Sequence, residues 1–163
     1  MPNTDFASKL MNELGANLGI DGLELDEQGD CIFAIDELPV AIRMRHDKWQ
    51  FIGFIAEVAE AEQLEELTLS ADQWRSLLEI NHALATDGDP ATLTYDRNVE
   101  CVLFVQPVFE HQLEAGKMEE LLETFVHRME KVREVVAKIR EGDASLENGA
   151  VAEDALTVMS RLV

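Results

Sequence analysis

The 163-residue chain is short of positive charge, aromatic rings, cysteine and proline. Thirteen Lys and Arg face 33 Asp and Glu, giving a formal net charge of −20 with His neutral. A small domain usually carries a net charge of magnitude roughly 2–8. Affinity for nucleic acid rests on Lys and Arg neutralising phosphates, so a phosphate-backbone partner is excluded. Anionic membrane surfaces are disfavoured for the same reason. Two cysteines, Cys31 and Cys101, are too few for a disulfide framework; both sit in apolar, strand-like runs and read as small buried hydrophobes. There is no uninterrupted apolar stretch of about 18 residues, so no membrane insertion is expected. Residues 1–18 interleave Asp5, Lys9 and Glu13 with apolar positions and lack the basic and apolar blocks of a signal peptide, which places the chain in a reducing cytoplasm. With aromatics at 6% and apolar residues at 47%, the core of this single-domain-sized chain must be aliphatic, helped by six methionines.

The patterns that carry chemistry are equally scarce. His46, His82, His111 and His127 share no metal-ligand spacing and read as surface residues. Nothing in the sequence brings a histidine to Cys31 or Cys101 as a nucleophile pair. The segment Gly15-Ala16-Asn17-Leu18-Gly19 lacks the Lys and Ser/Thr of a phosphate loop. Asp26-Glu27-Gln28-Gly29-Asp30 resembles half of a calcium loop without its ordered ligands, and reads as a solvated turn. Among 33 carboxylates, acidic pairs arise by chance. The residues therefore predict no enzyme, no metal and no cofactor, and leave a protein partner or a small ligand.

What is present is periodicity. Phe6, Leu10, Leu14 and Leu18 predict a helix over 4–18, with Gly19 ending it. Leu23 and Leu25 suggest a short strand, or half of a bent one, before the turn at 27–30. Alternation then predicts strands over 31–36, 40–45 and 49–56, joined by short polar turns as an antiparallel meander. Residues 57–66, with five Glu, read as a solvated connection. Ser70 offers an N-cap for a second helix carrying Trp74, Leu77, Leu78, Asn81 and Leu84. After the breaker Asp87-Gly88-Asp89-Pro90 come strands over 92–96 and 100–108, then a helix over 115–140 striped by Leu121, Leu122, Phe125, Met129, Val132, Val136 and Ile139. Residues 141–150 read as a linker, and Leu156, Met159 and Leu162 suit a short amphipathic tail. Strands grouped in runs indicate an α+β fold with an antiparallel sheet.

The meander has an apolar surplus. Cys31, Phe33, Ile35, Val40, Ile42, Met44, Trp49, Phe51 and Ile55 suit a core face. Ile32, Ala34, Ala41, Ile52 and Phe54 make the opposite face apolar too, where a one-sided sheet would be polar. A helix, a second subunit or a partner must cover it. On the second helix, Trp74 and its neighbours suit either core or a two-fold seam.

These segments, taken in order, resemble a known family. Leu14-Gly15-Ala16-Asn17-Leu18-Gly19-Ile20, Leu23-Glu24-Leu25-Asp26-Glu27 and Cys31-Ile32-Phe33-Ala34-Ile35-Asp36-Glu37 look like the N-terminal half of the class I type III secretion chaperones of the CesT (Tir chaperone) family. Leu77-Leu78-Glu79-Ile80-Asn81, Leu93-Thr94-Tyr95 and Cys101-Val102-Leu103-Phe104 continue the likeness, which covers about residues 5–140 and consists of packing patterns without a catalytic signature. The resemblance implies a strongly twisted, five-stranded antiparallel sheet with three helices in the order α-β-β-β-α-β-β-α, over a domain of residues 1–142 followed by a tail, 143–163, that departs from the family pattern. It implies a bacterial cytoplasmic homodimer, without nucleotide or cofactor, that binds the N-terminal segment of a secreted effector in extended form and delivers it to the secretion-apparatus ATPase. Effector contacts then fall on Leu10, Leu14, Ile32, Ala34, Ile52 and Phe54, and the dimer interface on Trp74, Leu77, Leu78, Asn81 and Leu84. The alternative is a regulatory protein of the same fold that sequesters a transcriptional regulator or its antagonist.

Overall fold

The computed structural model describes residues 4–46, 48–58, 68–113 and 116–142. The elements run α1 (Thr4–Leu18), β1 (Asp30–Ile35), β2 (Leu38–Arg45), β3 (Lys48–Glu57), α2 (Ala71–Thr86), β4 (Thr92–Asp96), β5 (Cys101–Val108), a 3-10 turn (Glu110–Gln112) and α3 (Lys117–Glu141). The five strands form one sheet in the order β1-β2-β3-β5-β4. This is the α+β architecture expected from the sequence. The acidic connection beyond Val58 and the tail from 143 lie outside the described residues. The chain divides into two compact units, Met1–Ile52 with Gln106–Val126 and Gly53–Val105 with His127–Val163.

In the first unit, α1 buries Ala7, Leu10, Met11 and Leu14 and leaves Phe6 exposed. The buried set follows i, i+3, i+4, i+7, so the core stripe is rotated from the expected four-residue ladder. Gly15 sits inside the helix because a Cβ there would lie 2.7 Å from the Ile20 carbonyl oxygen and 3.2 Å from Leu23 Cβ. The chain folds back closely at that point, and Ile20 donates its N–H to the Gly15 carbonyl at 2.9 Å. The strand expected at Leu23–Leu25 does not form. Only Asp26 pairs with β1; Leu23 is buried and the Glu24 backbone lies against the Cys31 sulfur, so the segment turns off the edge before a ladder can extend.

The β1–β2 hairpin closes on Asp36 and Glu37, both with positive φ (48° and 68°). Two such residues twist a two-residue turn in the sense the strands need. Pairing therefore resumes at Leu38, opposite Ile35, where the sequence suggested a longer turn. Val40 and Ile42 are fully buried on one face of β2, and Ala41 is buried on the other. The Phe51 and Phe125 rings pack with centroids 5.5 Å apart.

In the second unit, Ser70 caps α2 within a complete capping box: its side chain accepts from Gln73 N–H, and Gln73 Oε1 accepts from Ser70 N–H. The Gln73 amide then donates to the Ile139 and Arg140 carbonyls, both at 3.1 Å, and so satisfies the last carbonyls of α3. Met129, Val132, Val136 and Ile139 bury the apolar stripe of that helix. Arg128 is buried among them, paired with Asp89 and lying 5.4 Å from the centre of the Phe104 ring.

Candidate functional site

One margin of the first unit has unusual chemistry. β1 ends the strand order, so one side of it faces no strand of the sheet. Which of its backbone groups face that side follows from the register. Met44 donates to the Gly29 carbonyl at 2.8 Å, and the Cα partners continue as Asp30–Arg43, Cys31–Ile42, Ile32–Ala41, Phe33–Val40 and Ala34–Pro39. In an antiparallel ladder, pairs that exchange backbone hydrogen bonds alternate with pairs that do not. The bonded pairs are therefore those of Cys31 and Phe33. Asp30, Ile32 and Ala34 turn their N–H and C=O outward.

Asp30 is closed off. Its N–H donates to Asp26 Oδ1 at 2.9 Å, and its carbonyl accepts the Asp26 N–H at 2.8 Å. The same Oδ1 accepts from Gln28 N–H at 2.8 Å, which shapes the turn. Gly29 completes it: φ is 76°, and a Cβ would fall 2.5 Å from the Met44 carbonyl oxygen. The carboxylate resembling a calcium ligand in the sequence is thus spent on backbone donors. Ile32 and Ala34 have no outward backbone partner among the described residues.

Their side chains are open as well. Ile32 is 67% exposed, the most exposed large apolar side chain among the described residues, and Ala34 and its cross-strand neighbour Pro39 are exposed. On the same face, Asp30 binds two guanidinium groups, Arg43 Nε at 2.8 Å and Arg45 Nη2 at 2.9 Å. Burial alone raises the Asp30 carboxyl, but the hydrogen bonds and charges of Arg43 and Arg45 outweigh it and hold the group below the usual carboxylate range. Next to this margin Met11, Asn12, Glu24, Asp26, Met44 and Arg45 help line an open cleft of about 460 Å³.

The structure separates the other residues expected at an effector surface. Leu10, Leu14 and Ile52 are 4%, 2% and 2% exposed and belong to the core, because the stripe of α1 and this face of β3 are covered within the chain. Phe54, on the same face of β3 as Ile52, is half-buried in the second unit. Of the expected dimer residues, Leu77 and Leu84 are core. Trp74 is half-buried and packs edge-on against Tyr95 at 5.5 Å. Asn81 is committed to its own chain through Leu93. Leu78 alone of this set points outward, at 65% exposure.

Among the described residues, the histidines and cysteines have these surroundings. His111 stacks on Phe109, and His127 faces Glu130. Both thiols are buried, and burial raises the pKa of each, so they rest protonated. Among the described residues no group of three or more His, Cys, Asp or Glu is placed to hold a metal ion, and no helix is long and apolar enough to cross a membrane.

An open strand edge flanked by exposed apolar side chains is the arrangement that recognition by strand addition requires. The model of the Tir chaperone protein (CesT) family matches residues 9–133, and the chain belongs to that family of type III secretion chaperones, which bind secreted effectors. Its fold is similar to the crystal structure of the ExsC–ExsE complex (TM-score 0.67, 17% identity, covering 83% of this chain and 97% of that one). It is also similar to the HopA1–SchA chaperone–effector complex (TM-score 0.58, 16% identity, 79% and 94% covered). No curated protein matches.

Proposed function

We propose that this chaperone holds the N-terminal segment of one or a few secreted effectors in extended form, with a stretch of that segment added to the β1 edge as a sixth strand. The observation that carries this reading is the coincidence, at Ile32 and Ala34, of outward-facing backbone groups and exposed apolar side chains. Backbone hydrogen bonds supply affinity that tolerates different sequences, and the flanking side chains supply preference. The net charge of −20 keeps a chain with an open edge soluble and favours basic stretches in the client. Half-buried Met44, beside the cleft, can repack around different clients.

In the same reading a second copy covers Leu78, and the dimer presents its client to the secretion-apparatus ATPase without nucleotide of its own, in the bacterial cytoplasm. The alternative, sequestration of a transcriptional regulator or its antagonist, would use the same edge and differs in the identity of the captured protein.

The test is capture from a secreting bacterial host, with mass spectrometry of the co-purified protein. A fragment from the N-terminal part of a secreted protein is expected. Ile32→Asp should abolish capture while circular dichroism shows an intact fold. Undiminished capture by that variant rejects the edge.

A further inference from the structure

Asp26 occupies an unusual place for a turn residue. Its backbone N–H and its carboxylate together take up both outward backbone groups of Asp30, at 2.8 and 2.9 Å. It thereby does to Asp30 what a sixth strand would do, for one residue only. The chain then leaves the edge, because Leu23 is buried and the Glu24 backbone packs against Cys31. At the other end of β1, the turn at Asp36 and Glu37 removes extended backbone. Among the described residues, Ile32 and Ala34 alone remain between these limits with outward groups in strand geometry.

We propose that Asp26 is a register stop: it ends client pairing at Asp30, so that an added strand bonds β1 through Ile32 and Ala34 alone. The inference rests on the edge reading above and gives it a length and a position. A client residue can exchange backbone bonds with Ile32, and its second neighbour with Ala34. The next alternate residue meets Asp26 and must leave the sheet. A client therefore needs a short β-forming stretch, with apolar residues at two alternate positions beside Ile32 and Ala34. Lengthening that stretch past Asp30 gains nothing. Without the stop, an extended segment could slide along β1 by two residues and keep its side chains on the same face.

The experiment is an NMR titration of the ¹⁵N-labelled full chain with a soluble probe peptide, Lys-Thr-Val-Thr-Val-Thr-Lys, and a version lengthened by four Thr, which adds strand length without adding a Val pair. Wild type should shift the Ile32 and Ala34 amides and slow their hydrogen exchange, leave the Asp30 amide unchanged, and bind both peptides equally. Asp26→Ala frees the Asp30 N–H but keeps the residue-26 N–H on the Asp30 carbonyl, so the longer peptide should gain at most about three- to tenfold in affinity, the scale of one net hydrogen bond, and slow exchange of the Asp30 amide. Asp26→Asn keeps an acceptor oxygen and should behave as wild type. Should Asp26→Ala loosen the turn, the wild-type exchange rates decide by themselves. Slowed exchange at Asp30 on peptide binding, or tighter wild-type binding of the longer peptide, overturns the stop and leaves the edge intact. No response at Ile32 and Ala34 overturns the edge itself.

Discussion

The side-chain amide of Asn81 hydrogen-bonds both backbone groups of Leu93: Leu93 N–H donates to Asn81 Oδ1 at 2.7 Å, and Asn81 Nδ2 donates to the Leu93 carbonyl at 2.9 Å. Thr92 Oγ1 lies 3.2 Å from the same Oδ1. A carboxamide carries both a donor and an acceptor, so one side chain can serve both backbone groups of Leu93. β4 closes the other end of the strand order, so Asn81 stands in for a missing strand there. Asn81→Ala leaves the Leu93 groups without that partner and should cost about 1–3 kcal/mol. Denaturant unfolding measures the loss, and light scattering should show added self-association as the edge opens. Asn81→Asp, which cannot donate to the carbonyl, should be no better than Ala.

Leu78 and Ile32 should separate two properties. Leu78→Asp is expected to halve the mass of a dimer of 18.3-kDa chains, read by size-exclusion chromatography with light scattering, and to leave the fold unchanged, since the side chain is exposed. Ile32→Asp should leave the mass unchanged. A wild-type chain that is monomeric at micromolar concentration would refute the dimer.

Asp30 links stability to pH. Its carboxyl titrates below the usual range in the folded chain, where the Arg43 and Arg45 contacts outweigh its burial. A carboxylate lowered in this way contributes stability above its unfolded value, about 3.9, and loses it as pH falls through the folded value. Asp30→Asn should be less stable than wild type at pH 7. The difference should shrink below about pH 4 and vanish once Asp30 is protonated in both states. Thermal unfolding across that range tests the sign.

Arg128 is 8% exposed and paired with Asp89, whose Oδ1 also accepts the Ala91 N–H at 2.9 Å. Arg128→Met strands a carboxylate in a largely covered position and should cost about 3 kcal/mol. Asp89→Asn in the same chain should recover part of that loss. A double-mutant cycle on denaturation midpoints measures the coupling, and strict additivity would show that the pair contributes nothing specific.

The extent of α1 and β4, and the Ser70 cap, were legible because each is written locally: a helical period, an alternation between breakers, a hydroxyl three residues before an amide. The division of the β-meander into open and covered positions was not. Ile32 and Ile52 look alike in sequence, both apolar on the second face, yet one is 67% exposed and the other 2%. Alternation reports which face a residue takes; only the strand order reports whether that face is at a margin. The family resemblance places Asn81 at a dimer interface with Trp74, Leu77 and Leu84, and says nothing of its bonds within the chain. Its partner is a backbone twelve residues away, and no local pattern signals that. Asp26 carried a weak signal, Asp-x-x-Gly ahead of a strand, which identifies a turn without revealing that the turn closes an edge.

The unequal margins of the sheet bear on its behaviour as a polymer unit. Growth of stacked sheets needs each added chain to offer a fresh template, which requires two receptive margins per molecule. Here Asn81 interrupts one of them at Leu93, while Ile32 and Ala34 leave the other receptive. A chain docked through β1 would offer its neighbour a strand interrupted at Leu93, which disfavours further addition. An edge of β1 left open for one strand thus need not be matched by a second open edge for stacking.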